Sequence, residues 1–318
     1  MKFYLAPMEG VTDSIYRQIY HRMFTPFDRY YIPFLSPTRE RLITARQMRE
    51  LDPSRNAGMD VVPQLLGNDP ELFLWMAGVL KDMGYREVNL NLGCPSGTVV
   101  KKKKGSGLLG QRELLERLLD GIFEKTPLPV SVKTRIGLHS AEEFGPILEL
   151  FNRYPICELI VHPRVQKDLY SGAIRTEAFA LAVADSRAPV CYNGNLFSPE
   201  DVDEFKSRFP DLHAVMLGRG AVANPGLIGY LKTETWITLD QLRAFHDALY
   251  AEYRVVMPGF NPTVARMREF WAFWGDMFVA PAKYIKRIRK ATDFAAYEQA
   301  ASDLFAECEF IPNGVYCP

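Results

Sequence analysis

The sequence predicts an α/β chain, a (β/α)8 TIM barrel followed by a smaller all-helical domain. Three observations carry this expectation. Short runs rich in β-branched and apolar residues alternate with longer segments of helical period, the pattern of βα units around a parallel sheet. There are eight such runs, enough to close a barrel. Polar residues stand at the end of nearly every run and not at one switch point, which argues against a doubly wound open sheet.

The predicted strands, in order, are Phe3 to Pro7, Arg29 to Phe34, Val61 to Gly67, Glu87 to Gly93, Pro129 to Gly137, Glu158 to Arg164, Pro189 to Asn195 and Ala214 to Gly220. Between them Pro70 to Met83, Leu108 to Glu124 and Ala141 to Asn152 carry apolar residues at three- and four-residue spacing, as a helix with one buried face requires. From about Thr238 onward only helical segments remain: Leu239 to Met257, Pro262 to Phe278, Ala280 to Ala291 and Phe294 to Glu307. The expected division is a barrel domain over residues 1–235 and a helical domain over 236–318.

With 318 residues, of which 47% are hydrophobic, the chain can bury one large core and still supply a small second domain. The five cysteines, Cys94, Cys157, Cys191, Cys308 and Cys317, are widely spaced and form no Cys-x-x-Cys pair, so no metal site is expected and a reducing compartment is. The apolar run after Met1 and Lys2 is too short for a signal peptide and no later stretch has the length of a membrane span, which makes the expected location cytoplasmic.

Lys plus Arg equals Asp plus Glu at 38 each, so overall charge excludes no partner and points to none. The distribution says more. Lys101, Lys102, Lys103 and Lys104 form an unbroken run, and Lys283, Lys286, Arg287, Arg289 and Lys290 crowd a short helical segment. Positions 283, 286, 287 and 290 share one helix face by their i, i+3, i+4, i+7 spacing. Each cluster reads either as a solvated face or as a phosphate-binding surface.

Barrel enzymes carry their sites on the loops at the carboxyl ends of the strands. Here the seventh and eighth ends give Asn193-Gly194-Asn195 and Gly218-Arg219-Gly220, where glycines admit an anion to the backbone, a short helix aims its amino end at it and Arg219 adds charge. Lys133 and His162, from adjacent strands, point into the same mouth and could stabilise negative charge on a reduced isoalloxazine ring, or serve only the structure. Gln64 offers a carbonyl and an amide to a pyrimidine edge. Cys94 stands between Gly93 and Pro95 at the fourth strand end, either a small buried residue or a proton donor. A thiol of ordinary pKa, roughly 8.5, is mostly protonated at neutral pH and can act as a general acid.

The strings Ala6-Pro7-Met8-Glu9-Gly10, Asn91-Leu92-Gly93-Cys94-Pro95-Ser96, the glycine loop into Leu108-Leu109, Val132-Lys133-Thr134-Arg135, His162-Pro163-Arg164, Asn193-Gly194 and Gly218-Arg219-Gly220 resemble, in order, the bacterial tRNA-dihydrouridine synthases. The resemblance implies FMN, with electrons from NADPH, and uracil protonated at C5 by Cys94 while hydride reaches C6. It implies FMN contacts at Pro7, Met8, Glu9, Gln64, Lys133, His162, Asn193, Gly194, Asn195, Gly218 and Arg219. Substrate contacts would fall on Asn91, Arg135, Lys101 to Lys104, Lys283, Lys286, Arg287 and Lys290, with residues 236–318 as the tRNA-binding domain of a monomer. Asn89, Asn195 and Val165 depart from the family pattern, which usually has Asp, Asp or Glu, and Thr at those places.

Gly105-Ser106-Gly107-Leu108-Leu109-Gly110 fits a Gly-x-Gly-x-x-Gly spacing, but four lysines precede it in place of a hydrophobic strand, so it lacks the context of a dinucleotide fingerprint. Two other functions fit parts of the sequence. A flavin barrel acting on a free pyrimidine, like dihydroorotate dehydrogenase, would not need the basic helical domain. A catalytically silent tRNA-binding protein would not need Cys94, Lys133 and His162 together.

Overall fold

In the computed structural model, which describes residues 1–317, eight parallel strands close into a barrel in chain order. They are β1 (Lys2–Leu5), β2 (Arg29–Leu35), β3 (Val61–Leu65), β4 (Val88–Leu92), β5 (Val130–Arg135), β6 (Leu159–His162), β7 (Val190–Tyr192) and β8 (Ala214–Leu217). Every predicted strand is present. All but the second stop short of the predicted carboxyl end, because Pro7, Gly67, Gly93 and Gly137 belong to the loops that leave the barrel.

The helices in the same order are α1 (Ser14–Met23), α2 (Ala45–Leu51), α3 (Pro70–Asp82), α4 (Gly97–Val100), α5 (Arg112–Lys125), α6 (Phe144–Phe151), α7 (Thr176–Asp185), α8 (Pro199–Arg208), α9 (Arg219–Ala223), α10 (Leu227–Thr233), α11 (Leu239–Val256), α12 (Phe260–Trp274), α13 (Ala282–Lys290) and α14 (Phe294–Glu307). Their starts follow local chemistry. Asp69 accepts from the Glu71 and Leu72 amides at the head of α3, with Pro70 in the first turn where a missing N–H costs nothing. Thr238 and Gln241 form a reciprocal capping box on α11, and Asp293 caps α14. The predicted helix from Ala141 is split, a 3-10 turn over Ala141–Glu143 preceding α6. Pro146 has no N–H to give the carbonyl four residues earlier, so a continuous α-helix lacks that bond.

Contacts divide the chain into two compact units. The first comprises Met1–Pro7, Asp28–Gly194 and Phe209–Met216, and so contains almost all of the barrel with α2 to α7. Tyr4, Ala6, Tyr31, Val62, Ile160, Cys191, Ala214 and Met216 form one buried cluster inside it. At the amino ends of the strands the Glu158 carboxylate accepts from the Tyr4 hydroxyl at 3.0 Å, the Tyr31 hydroxyl at 3.0 Å and the His213 Nε2 at 2.7 Å. Burial alone would raise this carboxyl, but the His213 hydrogen bond, the Arg29 charge and the Tyr31 hydroxyl outweigh it and hold its pKa below the usual range.

The second unit comprises Met8–Phe27, Asn195–Arg208 and the chain from Leu217 onward, and so contains α1 and α8 to α14. Its core is aromatic. Tyr16 of α1 stacks on Phe270 at 5.6 Å and meets Phe245 edge-on at 5.6 Å, and Phe270 stacks on Trp274 at 5.4 Å. Such pairs add about 0.5–1.5 kcal/mol each beyond the area they bury. Polar tips are satisfied too, Trp274 donating to the Val222 carbonyl at 3.0 Å and Trp271 to the Tyr297 hydroxyl at 3.1 Å.

Candidate active site

The carboxyl ends of β3 to β6 bring together a set of amides, cations and one thiol. Because side chains alternate along a strand, Asn89 and Asn91 of β4 share a face, and pairing sets Gln64 beside Asn89 and Asn91 beside Lys133. The result is a continuous amide chain. Asn89 donates to Ser131 Oγ at 2.9 Å and accepts from Gln64 Nε2 at 2.7 Å, while Asn91 donates to Gln64 Oε1 at 2.7 Å. Asn91 Oδ1 then accepts from the backbone amides of Gly93 at 3.0 Å and Cys94 at 2.9 Å.

Cys94 is held from its other side as well. Its carbonyl accepts from the Ser106 amide at 3.1 Å and the Ser106 hydroxyl at 2.8 Å. Gly105 closes this contact with φ +55°, and a Cβ there would lie 2.9 Å from the Cys94 carbonyl oxygen, so only glycine fits. The thiol-bearing residue therefore has a fixed main chain and a half-buried side chain.

The Lys133 ammonium makes no hydrogen bond or ion pair among the described residues. Burial, then the Arg135 charge, lowers its pKa to about 8. Arg135 is buried, and its guanidinium donates to the carbonyls of Gly93 at 3.1 Å, Val165 at 2.9 Å and Leu169 at 2.5 Å, with the Tyr170 ring 5.3 Å away. It fastens the loop after β4 to the loop after β6. Arg164 can only donate, so its 3.1 Å contact makes His162 Nε2 an acceptor and puts the proton of a neutral ring on Nδ1. Asn193 donates to the Met216 carbonyl at 2.8 Å. Gly194 leaves no room for a Cβ, which would lie 2.1 Å from the Tyr192 hydroxyl.

Among the exposed lysines, Lys102 and Lys103 offer their carbonyls to Asn68 Nδ2 at 3.1 and 3.2 Å, so the basic run is a wound loop and not a loose one. Lys104 lines a cleft of about 270 Å³ with Arg39, Thr38, Asn68 and Asp69 among its walls. The glycines after it form a 3-10 turn over Gly105–Leu108, with no strand before them.

In the second unit, Met8 accepts from the Val11 and Thr12 amides at 3.0 Å and its own amide donates to the Thr12 hydroxyl at 2.8 Å, a tight turn in which Gly10 has φ +79° and Glu9 is exposed. Arg219, which opens α9 directly after Gly218, donates to Asn195 Oδ1 at 3.0 Å and lies over the Phe197 ring at 5.3 Å. At 195 the partner of the guanidinium is thus a neutral amide oxygen and not a carboxylate. Lys283, Lys286, Arg287 and Lys290 line one cleft of about 650 Å³ together with Thr292, Ala296 and Gln299, so the spacing did place these four side chains on one face. Arg287 also bridges to Asp303 at 2.7 Å.

The amide chain through Ser131 and the Ser106 clamp escaped the reading of the sequence. The two-residue spacing of Asn89 and Asn91 was the available signal, since it puts both carboxamides on one side of a strand. Among the described residues no group of three His, Cys, Asp or Glu is placed to hold a metal, and no helix is long and apolar enough to cross a membrane.

A family model described as dihydrouridine synthase (Dus) matches residues 4–306. The tRNA-dihydrouridine synthase B of Pseudomonas aeruginosa is 28% identical over 317 residues, 96% of this chain and 90% of its own. That of Shewanella oneidensis is 28% identical over 266 residues, 79% of this chain and 81% of its own. The tRNA-dihydrouridine(16) synthase of Aquipseudomonas alcaligenes is 29% identical over 235 residues, 71% and 74% of the two chains. Among solved structures, morphinone reductase superposes with a TM-score of 0.52 at 13% identity over 74% of this chain and 87% of its own, a likeness of fold alone.

Proposed function

This chain belongs to the dihydrouridine synthase family, and from that premise we propose that it reduces the C5=C6 bond of uridine in tRNA to 5,6-dihydrouridine, using FMN and NADPH. The enzyme class follows from the family, whose matched members are named tRNA-dihydrouridine synthases.

The residues present fit FMN. The side chains at the ends of β3 to β6 are donors or neutral amides with no carboxylate among them: Gln64, Asn91, Lys133, Arg135, His162 and Arg164. Gln64 keeps a second N–H and a second lone pair beyond its bonds to Asn89 and Asn91, enough for a pyrimidine edge. Where a Cβ on Gly67 would stand there is open space. Lys133, largely protonated at pH 7 with a pKa of about 8, and an N–H of the His162 ring would stabilise negative charge on the flavin. The family resemblance also assigns FMN contacts to Pro7, Met8, Glu9, Asn193, Gly194 and Gly218, and Asn195 would steady Arg219 against the phosphate. Bound FMN supplies the hydride to C6 of uracil once NADPH has given it electrons.

Cys94 delivers the proton to C5. Its carbonyl and amide are both fixed, so the thiol is presented from one backbone position, as a donor that must meet one carbon requires. Asn91 has one N–H left for a uracil carbonyl, and Arg135 acts by holding the loops around the base. In this reading residues 1–235 are the catalytic domain and residues 236–318 bind tRNA through the cationic cleft on α13, with Lys101 to Lys104 as further phosphate contacts. A uridine must leave its stack to reach the thiol.

The observation that carries the proposal is one barrel mouth holding both a pinned cysteine and an ammonium with no partner among the described residues. The test is dihydrouridine mapping of tRNA from cells with and without the gene, together with the flavin spectrum of the purified protein. Loss of one mapped position and a yellow protein bleached by NADPH are expected. A tRNA map unchanged by deletion, or a protein that takes up no FMN, refutes the reading.

A further inference from the structure

We propose that residues 308–317, which follow α14, form a strap that positions Arg219, with Tyr316 as the positioning residue acting through Phe197. This rests on the reading of Arg219 as the FMN phosphate contact. The Phe197 ring that lies 5.3 Å from the Arg219 guanidinium meets Tyr316 edge-to-face at 5.5 Å, and Tyr316 in turn packs on Phe273 of α12 at 5.5 Å. Phe197 is fixed at its backbone too, its amide donating to Asp201 Oδ2 at 2.7 Å. A long cationic side chain over an aromatic face thus stands on a ring that other groups hold still.

The strap also grips the far end of the same short helix. Asn224, just beyond α9, donates to the carbonyls of Pro312 at 2.9 Å and Gly314 at 3.2 Å, and its Oδ1 accepts from the Gly226 amide at 3.0 Å. The strap itself is tied down: the Ile311 amide donates to the Met277 carbonyl at 2.8 Å, and the Cys317 amide to Asp276 Oδ2 at 3.0 Å. Gly314 passes so close that a Cβ would lie 2.4 Å from the Asp276 carbonyl oxygen. One segment therefore holds Asn224, just beyond α9, and braces the ring under the side chain of Arg219, the first residue of α9. Arginine gives up considerable rotamer freedom when it binds an anion, so a platform that orders it beforehand raises affinity without touching the ligand.

A strap that merely supports the surrounding fold would weaken FMN and riboflavin alike; a strap that acts through Arg219 affects only the phosphate. FMN and riboflavin differ by that phosphate, so flavin exchange on the folded protein separates the two. Tyr316→Ala is expected to weaken FMN binding about three- to tenfold, the scale of a supported cation–π contact, and to leave riboflavin binding unchanged. Tyr316→Phe, which keeps the ring, should stay within about twofold of the parent protein. In an Arg219→Ala background, itself weakened roughly ten- to a hundredfold for FMN alone, Tyr316→Ala should add nothing. Equal loss of FMN and riboflavin on Tyr316→Ala, or a full effect in the Arg219→Ala background, overturns the strap. An Arg219→Ala variant with an unchanged preference for FMN over riboflavin instead overturns the phosphate assignment.

Discussion

Lys133→Met should stabilise the flavin-free chain while weakening its hold on FMN. The lysine is half-buried, makes no ion pair among the described residues, and has its pKa lowered from 10.5 to about 8 by burial and by the neighbouring Arg135 charge. At about 1.36 kcal/mol per pH unit, that fall caps the cost of keeping the ammonium charged in the fold at roughly 3 kcal/mol. The residue as a whole is only half-buried, which trims this, so a gain of about 1–2 kcal/mol is expected for a neutral side chain of similar length. The pH dependence identifies the cause. Below about pH 8 the folded and unfolded chains both hold the proton and the whole cost is present. Between about 8 and 10.5 the folded chain has released a proton that the unfolded chain retains, so the parent protein gains stability as pH rises and the difference from the variant shrinks. Above that window it is gone. Urea denaturation of flavin-free protein from pH 7 to pH 10.5 measures this directly. A variant no more stable than its parent at pH 7, or a difference that does not diminish with pH, refutes the assignment of Lys133 as a strained, unpaired cation.

Cys94→Ala should keep its flavin and its NADPH oxidation but lose about 10²–10⁴-fold in uridine reduction, read by single-turnover oxidation of reduced enzyme with tRNA; normal rates would remove Cys94 from the chemistry. Arg135→Met leaves the Gly93, Val165 and Leu169 carbonyls without their donor and should cost about 2–4 kcal/mol in thermal or urea unfolding. A change under about 0.5 kcal/mol would show that the three bonds do not hold the two loops. Replacing Lys286, Arg287 and Lys290 together by Ala should lower tRNA affinity and reduce its slope against log salt by up to about 0.7–0.9 per lost contact, with the smallest share from Arg287, already paired with Asp303. An unchanged slope moves the RNA-binding face elsewhere.

The fold was readable because a parallel barrel writes its strands as apolar runs and its helices as amphipathic ones, and here each run is flanked by turn residues. Phe294 to Glu307, with Asp293 before it, is a helix over the same residues in the structure. Ala141 to Asn152 was less faithful, since apolar spacing does not register the missing N–H of Pro146. In the site, strand ends named the residues but not their partners. Arg135 stands at a strand end where the pattern names the residue, but not the three carbonyls, distant in sequence, to which it donates. Ser106 lies 12 residues beyond Cys94, and only the fold of the lysine and glycine loop brings its hydroxyl back to that carbonyl. Such pairings depend on loop paths, which local periodicity does not encode.

Glu158 has implications for how the chain is made. Its partners lie 154 and 127 positions earlier, at Tyr4 and Tyr31, and 55 positions later, at His213. During synthesis the two phenols are waiting when the carboxylate emerges, but the imidazole arrives only with the strand that seals the ring. A nascent chain that has reached β7 would, on closing early, bury that carboxylate without one of the groups that keep it ionised. The seam between the last strand and the first thus brings this carboxylate its final hydrogen-bond partner, and a barrel sealed without it would bury Glu158 one donor short.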